Sequence, residues 1–263
     1  MELSQLIAGL IAGDQHQGGL RCMQLFTLNR SFMEKLQYEV ESYCQTHSAS
    51  DISEPSHVTN WVHTSGEVIQ YSLLNHSGLT NDFSTDHDLS CKGKWFFDEM
   101  QYPTIGKLIN CWPHLINFRI NVLQAGSILA AHEEHIPFRT QSDSIGARLR
   151  FHLPVFTNKD AELNLDNHIY HLPTGAINLV NQGCVHSAKN NGGNSRIHLV
   201  WDALLTEKLY HFLFHHQHQT RFLQPDKPVP AQPQREEEIG PYRRLPPQVQ
   251  ASELSELSIC LPQ

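Results

Sequence analysis

The sequence predicts a mainly β chain with flanking helices, closed as a double-stranded β-helix, a cupin-like jelly roll. Three observations predict it. Between residues 117 and 202, short segments of alternating apolar and polar residues follow one another with no room for helices between them. Turn-forming sequences separate them, namely Ala125-Gly126, Pro173-Thr174-Gly175 and the NNGGN run at 190–194. Helical periodicity falls outside that stretch.

Residues 1–116 read as a mixed α/β part of the same catalytic unit. Within them Ser31 to Thr46 carries a helical stripe (Phe32, Leu36, Val40, Tyr43), with Ser31 and Glu34 placed for a capping box. Residues 67–74 read as a strand, and a helix is expected to begin near Pro103, because proline is tolerated in a first turn. The core, residues 117–220, opens with NFRINVL (117–123), where Phe118, Ile120 and Val122 alternate. SILAAH (127–132), ARLRFHLPV (147–155), AELNLDNHIYHL (161–172), AINLVN (176–181) and SRIHLVWD (195–202) continue it. Residues 221–263 form a tail, with seven prolines between Pro225 and Pro247, a Glu236–Glu238 run and the pair Arg243-Arg244. Such a composition packs poorly and predicts an extended or disordered stretch.

Composition narrows the function classes. With 263 residues, 40% of them hydrophobic, the chain can bury a sizeable core. A formal net charge of -8 argues against a surface built for nucleic acid or anionic membrane. Six scattered cysteines without a CxxC pair fit reduced thiols of a cytoplasmic protein. No apolar run approaches the ~20 residues that cross a bilayer, and Glu2 stands where a signal peptide carries positive charge.

Eighteen histidines prove nothing by number, so spacing has to carry the chemistry. In His132-Glu133-Glu134-His135, at a strand end, residues i and i+2 project to one face, so His132 and Glu134 point together and His135 points away. An imidazole and a carboxylate so placed can fill two adjacent corners around a metal, and a two-His-one-carboxylate face marks non-haem iron(II) oxygenases. Alone the tripeptide is weak, since exposed polar residues at a strand end would look the same. His186, in GCVHSA just after a buried strand, supplies a candidate third ligand. Ten residues later Arg196 sits inside an apolar strand, which is costly unless it meets an anion. Alternation puts Arg196 and His198 on one face, and Arg148, Arg150 and His152 on another, so a locally basic interior is expected. For Arg148 a surface ion pair is an equal alternative.

These motifs, NFRINVLQAGSILAAHEEH, ARLRFHLPVFTN and LPTGAINLVNQGCVHSAKNNGGNSRIHLVWD, in this order over residues 117–202, resemble the aspartyl/asparaginyl β-hydroxylase family. The resemblance implies an Fe(II)- and 2-oxoglutarate-dependent dioxygenase using O2. It makes His132, Glu134 and His186 the iron ligands and Arg196 the partner of the distal carboxylate of 2-oxoglutarate. It also places His152 and, more weakly, Asn121 beside the cosubstrate, and gives Arg150 the carboxylate of the substrate. Glu134 departs from the aspartate usual in bacterial members and from the animal members that lack a carboxylate here. Its presence aligns the chain with the bacterial amino-acid hydroxylase branch, such as proline 3-hydroxylase. The expected partner is an amino-acid-type small molecule (free, N-modified or carrier-linked) or a peptide, with Trp61–Leu74 and the C-terminal segment helping to close the pocket. The alternatives are a peptide or protein Asp/Asn β-hydroxylase, and a cupin-like metal-binding protein without enzymatic activity.

Overall fold

The computed structural model describes residues 1–14, 19–51, 65–82, 88–132, 134, 136–139, 145–215, 222–233 and 235–236. Trp61, His135 and Arg243-Arg244 lie outside the described residues. The first half of the chain gives α1 (Leu3–Asp14), β1 (Cys22–Leu28), α2 (Arg30–Thr46), β2 (Ser50–Asp51), β3 (Val68–Ser72), β4 (Leu74–Asn75), β5 (Trp95–Phe96) and α3 (Pro103–Asn110). The β-rich part follows as β6 (Leu115–Leu123), β7 (Ile128–His132), β8 (Pro137–Arg139), β9 (Ile145–Phe156), β10 (Ala161–Leu165) and β11 (His168–Tyr170). It ends with β12 (Ala176–Val180), β13 (His186–Asn190), β14 (Arg196–Leu204), α4 (Glu207–Phe214), β15 (Leu223–Pro230) and β16 (Arg235–Glu236).

The strands form a large antiparallel sheet, β15-β1-β12-β9-β14-β6-β3-β2 with β8 beside β9, and a smaller one, β16-β11-β10-β13-β7. From β6 to β14 the chain crosses repeatedly between the two sheets, which is the winding of a double-stranded β-helix. Alternation decides which face each residue takes. In β14, Ile197, Leu199 and Trp201 turn outward, opposite Val122, Ile120 and Phe118 of β6 and Phe156, Leu153 and Phe151 of β9. Trp201 stacks on Phe118 at 4.9 Å and meets the edge of Trp112 at 4.8 Å. The stripe Leu36, Val40 and Tyr43 of α2 joins Ile105, Leu108, Leu209 and Leu213 in one core with these aromatics. Helices therefore cover the outer face of the large sheet, each wholly buried Leu or Val contributing ~1.5–3 kcal/mol. The inner face is left for the site.

Local details correct or extend the sequence reading. The N-cap of α2 is Asn29, whose Oδ1 accepts from the Phe32 N–H at 2.9 Å. The Ser31/Glu34 capping box does not form, because asparagine is itself among the best caps and starts the helix two residues early. Ser31 then donates to Asn29, and Glu34 pairs with Arg30 on the exposed surface. α3 begins at Pro103, where no N-terminal N–H is needed, but Tyr102 offers no side-chain cap. The buried carboxylate of Glu39, reaching over from α2, accepts from the Thr104 and Ile105 N–H groups at 2.8–3.0 Å instead. Asp166 and Asn167, both with positive φ (48° and 67°), make the two-residue turn between β10 and β11. In the proline-rich region, residues 223–230 form an edge strand on β1, where a missing N–H can face away from the sheet.

Candidate metal centre and anion pocket

The inner face of the large sheet is polar. On β6 it presents Asn117, Arg119 and Asn121; on β9 Arg148, Arg150 and His152; on β14 Arg196, His198 and Asp202. The register sets Asp202 beside both Asn117 and Arg150, and His198 beside Asn121. Opposite stands the small sheet, where His132 at the end of β7 pairs directly with His186 at the start of β13. Two residues past His132, Glu134 is anchored by its N–H donating to the Gln182 carbonyl at 2.9 Å.

The potential ligand atoms of His132, Glu134 and His186 all lie within 4.8 Å of one another. Each imidazole is turned by its own backbone: Nδ1 of His132 meets the Ala130 carbonyl, and Nδ1 of His186 the Cys184 carbonyl, both at 2.8 Å. A carbonyl only accepts, so each Nδ1 carries the proton and each Nε2 keeps a lone pair for a ligand. Burial, with His132 nearby, pushes His186 down to about 3, and burial lowers His132 too. Both rings are thus held neutral, the form that binds metal. Two imidazole nitrogens and a carboxylate fit a divalent first-row transition metal.

Glu134 is gripped from the large sheet. Arg150 donates to it through Nη1 and Nη2 at 2.7 and 2.6 Å, and Arg148 adds Nη2 at 3.0 Å. Burial would raise the Glu134 carboxyl, but the Arg150 and Arg148 guanidiniums outweigh it and hold it well below the usual range. Arg150, expected from the resemblance to meet a substrate carboxylate, spends its second face on Asp202, through Nε and Nη2 at 2.8 Å each. Arg148, for which a surface ion pair was an equal reading, points inward with its side chain 13% exposed.

Arg196 has a different setting. It is 6% exposed, and its guanidinium lies against the His198 ring, with N–N distances of 2.8 and 3.1 Å. Among the described residues no carboxylate pairs with it, and burial pulls it down to about 10. Close by on this face, Nδ1 of His152 and Oδ1 of Asn121 are buried without a partner among the described residues. A buried cation without a counter-ion beside unmatched polar atoms is costly unless an anion completes it. Burial and then Arg196 push both His152 and His198 well below the ordinary histidine value.

That depression predicts a pH dependence of stability. A histidine neutral in the fold but free to protonate when unfolded makes the unfolded state bind more protons below ~6.5. The metal-free protein is therefore expected to lose ~1.4 kcal/mol per pH unit for each of His152 and His198 as pH falls below that value. Urea melts of metal-free protein at pH 7.5 and 5.5 measure it; a substitution of both by glutamine should remove their share and leave that of His132 and His186, which burial also lowers.

The sequence reading passed over three residues of this face: Asp202, Arg119 and Asn117. Their signal was present, since alternation in SRIHLVWD puts Asp202 with Arg196 and His198, and alternation in NFRINVL puts Asn117 and Arg119 with Asn121. No curated protein matches the sequence. Among solved structures, HygX of Streptomyces hygroscopicus, solved with nickel and 2-oxoglutarate, is 9% identical over 77% of this chain and 86% of its own (TM-score 0.44). An oxidoreductase of the 2OG-Fe(II) oxygenase family from Burkholderia pseudomallei is 10% identical over 64% and 77% (TM-score 0.38). The epimerase SnoN of nogalamycin biosynthesis is 11% identical over 74% and 82% (TM-score 0.43). Likenesses this distant carry no assignment. The family model for aspartyl/asparaginyl beta-hydroxylase matches residues 91–205. That match takes in the segment that holds the His-Glu-His cluster, the Arg150 pair and the Arg196 pocket.

Proposed function

We propose that the chain is an Fe(II)- and 2-oxoglutarate-dependent dioxygenase that hydroxylates an unactivated C–H of an amino-acid-type substrate, free, N-modified or carrier-linked. 2-Oxoglutarate would be decarboxylated to succinate and CO2 as O2 is consumed. The observation that carries this reading is a His-Glu-His cluster facing a polar inner sheet face on which a buried arginine has no carboxylate partner among the described residues. Iron(II), when bound, supplies the redox chemistry that activates O2. The residues' parts are separate from that. His132 and His186 present Nε2, fixed by their Nδ1 bonds to carbonyls, and Glu134 presents a carboxylate oxygen. Arg196 takes the distal carboxylate of 2-oxoglutarate in a charge-assisted pair. His152 and Asn121 offer the cosubstrate their unmatched polar atoms. Arg150 keeps one Nη1–H unused by Glu134 and Asp202, through which it can still touch a substrate carboxylate.

A carboxylate at position 134 favours hydroxylation over halogenation, because halogenation needs that coordination position for halide. A second reading, hydroxylation of Asp or Asn within a peptide, is favoured by the description of the matching family. The decisive assay follows succinate with Fe(II), ascorbate and 2-oxoglutarate across a panel of amino acids and dipeptides, with mass spectrometry for a gain of one oxygen. Amino-acid turnover supports the proposal and dipeptide turnover the second reading. No succinate from any mixture, even uncoupled, leaves a non-enzymatic metal-binding barrel.

A further inference from the structure

Asp202 is fully buried, and its hydrogen bonds and ion pairs go to Asn117, Arg119 and Arg150, not to the three candidate ligands. Its place is fixed from behind: its N–H donates to Asn117 Oδ1 at 2.9 Å, and its Oδ2 receives Asn117 Nδ2 at 3.1 Å and Arg119 Nη2 at 3.4 Å. From there it takes the Nε/Nη2 face of Arg150, at 2.8 Å on each bond. A guanidinium has two faces that can grip a carboxylate with two bonds. With one spent on Asp202, the other, Nη1/Nη2, is aimed at Glu134 at 2.7 and 2.6 Å. The grip is lopsided. Among the described residues Oε2 of Glu134 receives both Arg150 and Arg148, whereas Oε1 receives Arg150 alone. Oε1 is left with the greater capacity to donate to a cation lying between the two imidazoles.

We propose that Asp202 is a positioning residue for the metal centre: through Arg150 it orients the Glu134 carboxylate toward the ion held by His132 and His186. The inference rests on the proposed reading of His132, Glu134 and His186 as metal ligands. Arg150 becomes part of the carboxylate's support, and the longer reach of glutamate over aspartate brings that carboxylate to the arginine fork. Charge acts in the same direction. Among the described residues Arg150 is shared between the carboxylates of Glu134 and Asp202, so removing the Asp202 charge turns Arg150 wholly onto Glu134 and sets it against the incoming cation.

The test measures metal affinity, separately from turnover. Mn(II) and Co(II) binding to metal-stripped protein is titrated calorimetrically for the unmodified chain, Asp202→Asn, Glu134→Ala and the double variant, with thermal melts as fold controls. Outer-sphere supports of this kind are worth ~10–100-fold in affinity. Asp202→Asn is therefore expected to weaken binding about tenfold or more, and to change the Co(II) visible spectrum, while in the Glu134→Ala background it changes affinity less than about threefold. An equal loss in both backgrounds means a general charge effect and overturns the proposal, as does no loss in either. If Asp202→Asn does not fold, Arg150→Lys, which keeps the charge and loses the fork, enters the same cycle with the same expected pattern. Failure of the unmodified chain to bind either metal would instead sink the ligand assignment itself.

Discussion

Replacing His186 with alanine is expected to abolish both metal binding and succinate formation while leaving a folded chain. The ring contributes little that the fold needs. Its Nδ1–H bond to the Cys184 carbonyl is one neutral hydrogen bond, worth ~1 kcal/mol, and the strand pairing of His186 with His132 is made by the backbone. Its Nε2 is another matter. Without it, His132 and Glu134 remain, and the loss of a direct ligand should exceed the ~10–100-fold that outer-sphere changes cost. Mn(II) titration and a 2-oxoglutarate turnover assay, run beside a urea melt, separate the outcomes. Full turnover in the variant would falsify the ligand assignment.

Arg196→Ala carries the second large effect, and its two consequences run in opposite directions. Losing a charge-assisted contact to the cosubstrate carboxylate costs ~1.5–3 kcal/mol, a rise of roughly 10–150-fold in the 2-oxoglutarate concentration needed. The metal-free protein, by contrast, loses a buried cation that no carboxylate among the described residues balances. Its melting temperature should hold or rise, because an unpaired buried charge opposes folding. Steady-state titration of 2-oxoglutarate and calorimetric melts read the two effects independently. An unchanged requirement would place the anion clamp elsewhere, and a strongly destabilised variant would mean that Arg196 has a structural partner.

How much of this was legible depends on which interactions are local. Period-two alternation marked β6, β9 and β14 in the sequence, and it also told the helix-facing Trp201 from the inward Arg196. The strand β13 was not read, because in GCVHSAKN the polar residues Ser187 and Asn190 are buried as well and no apolar alternation appears. Asn29 was missed as a cap because Ser31 and Glu34 offered a sequence pattern of their own, and propensity alone does not rank two overlapping caps. At the site, each strand announced its basic residues, but what they hold was not announced. That Arg150 is shared between Glu134 and Asp202 depends on two carboxylates 68 positions apart both reaching one guanidinium across the gap between sheets. Glu39 capping α3 is hidden for the same reason: its partners are Thr104 and Ile105, in a different helix.

The pairing of β15 with β1 bears on how the molecule is made. Met23 lies opposite Pro230 and Leu28 opposite Leu223, while His168 and Ile169 of the small sheet pair with Glu236 and Arg235. Once β1 is synthesised, some two hundred residues must follow before its outer neighbour exists. Until then β1 presents an open edge, and such long-range closure is slow compared with local pairing. Synthesis of this chain is therefore a race between completing residues 223–236 and any other strand that finds β1 first.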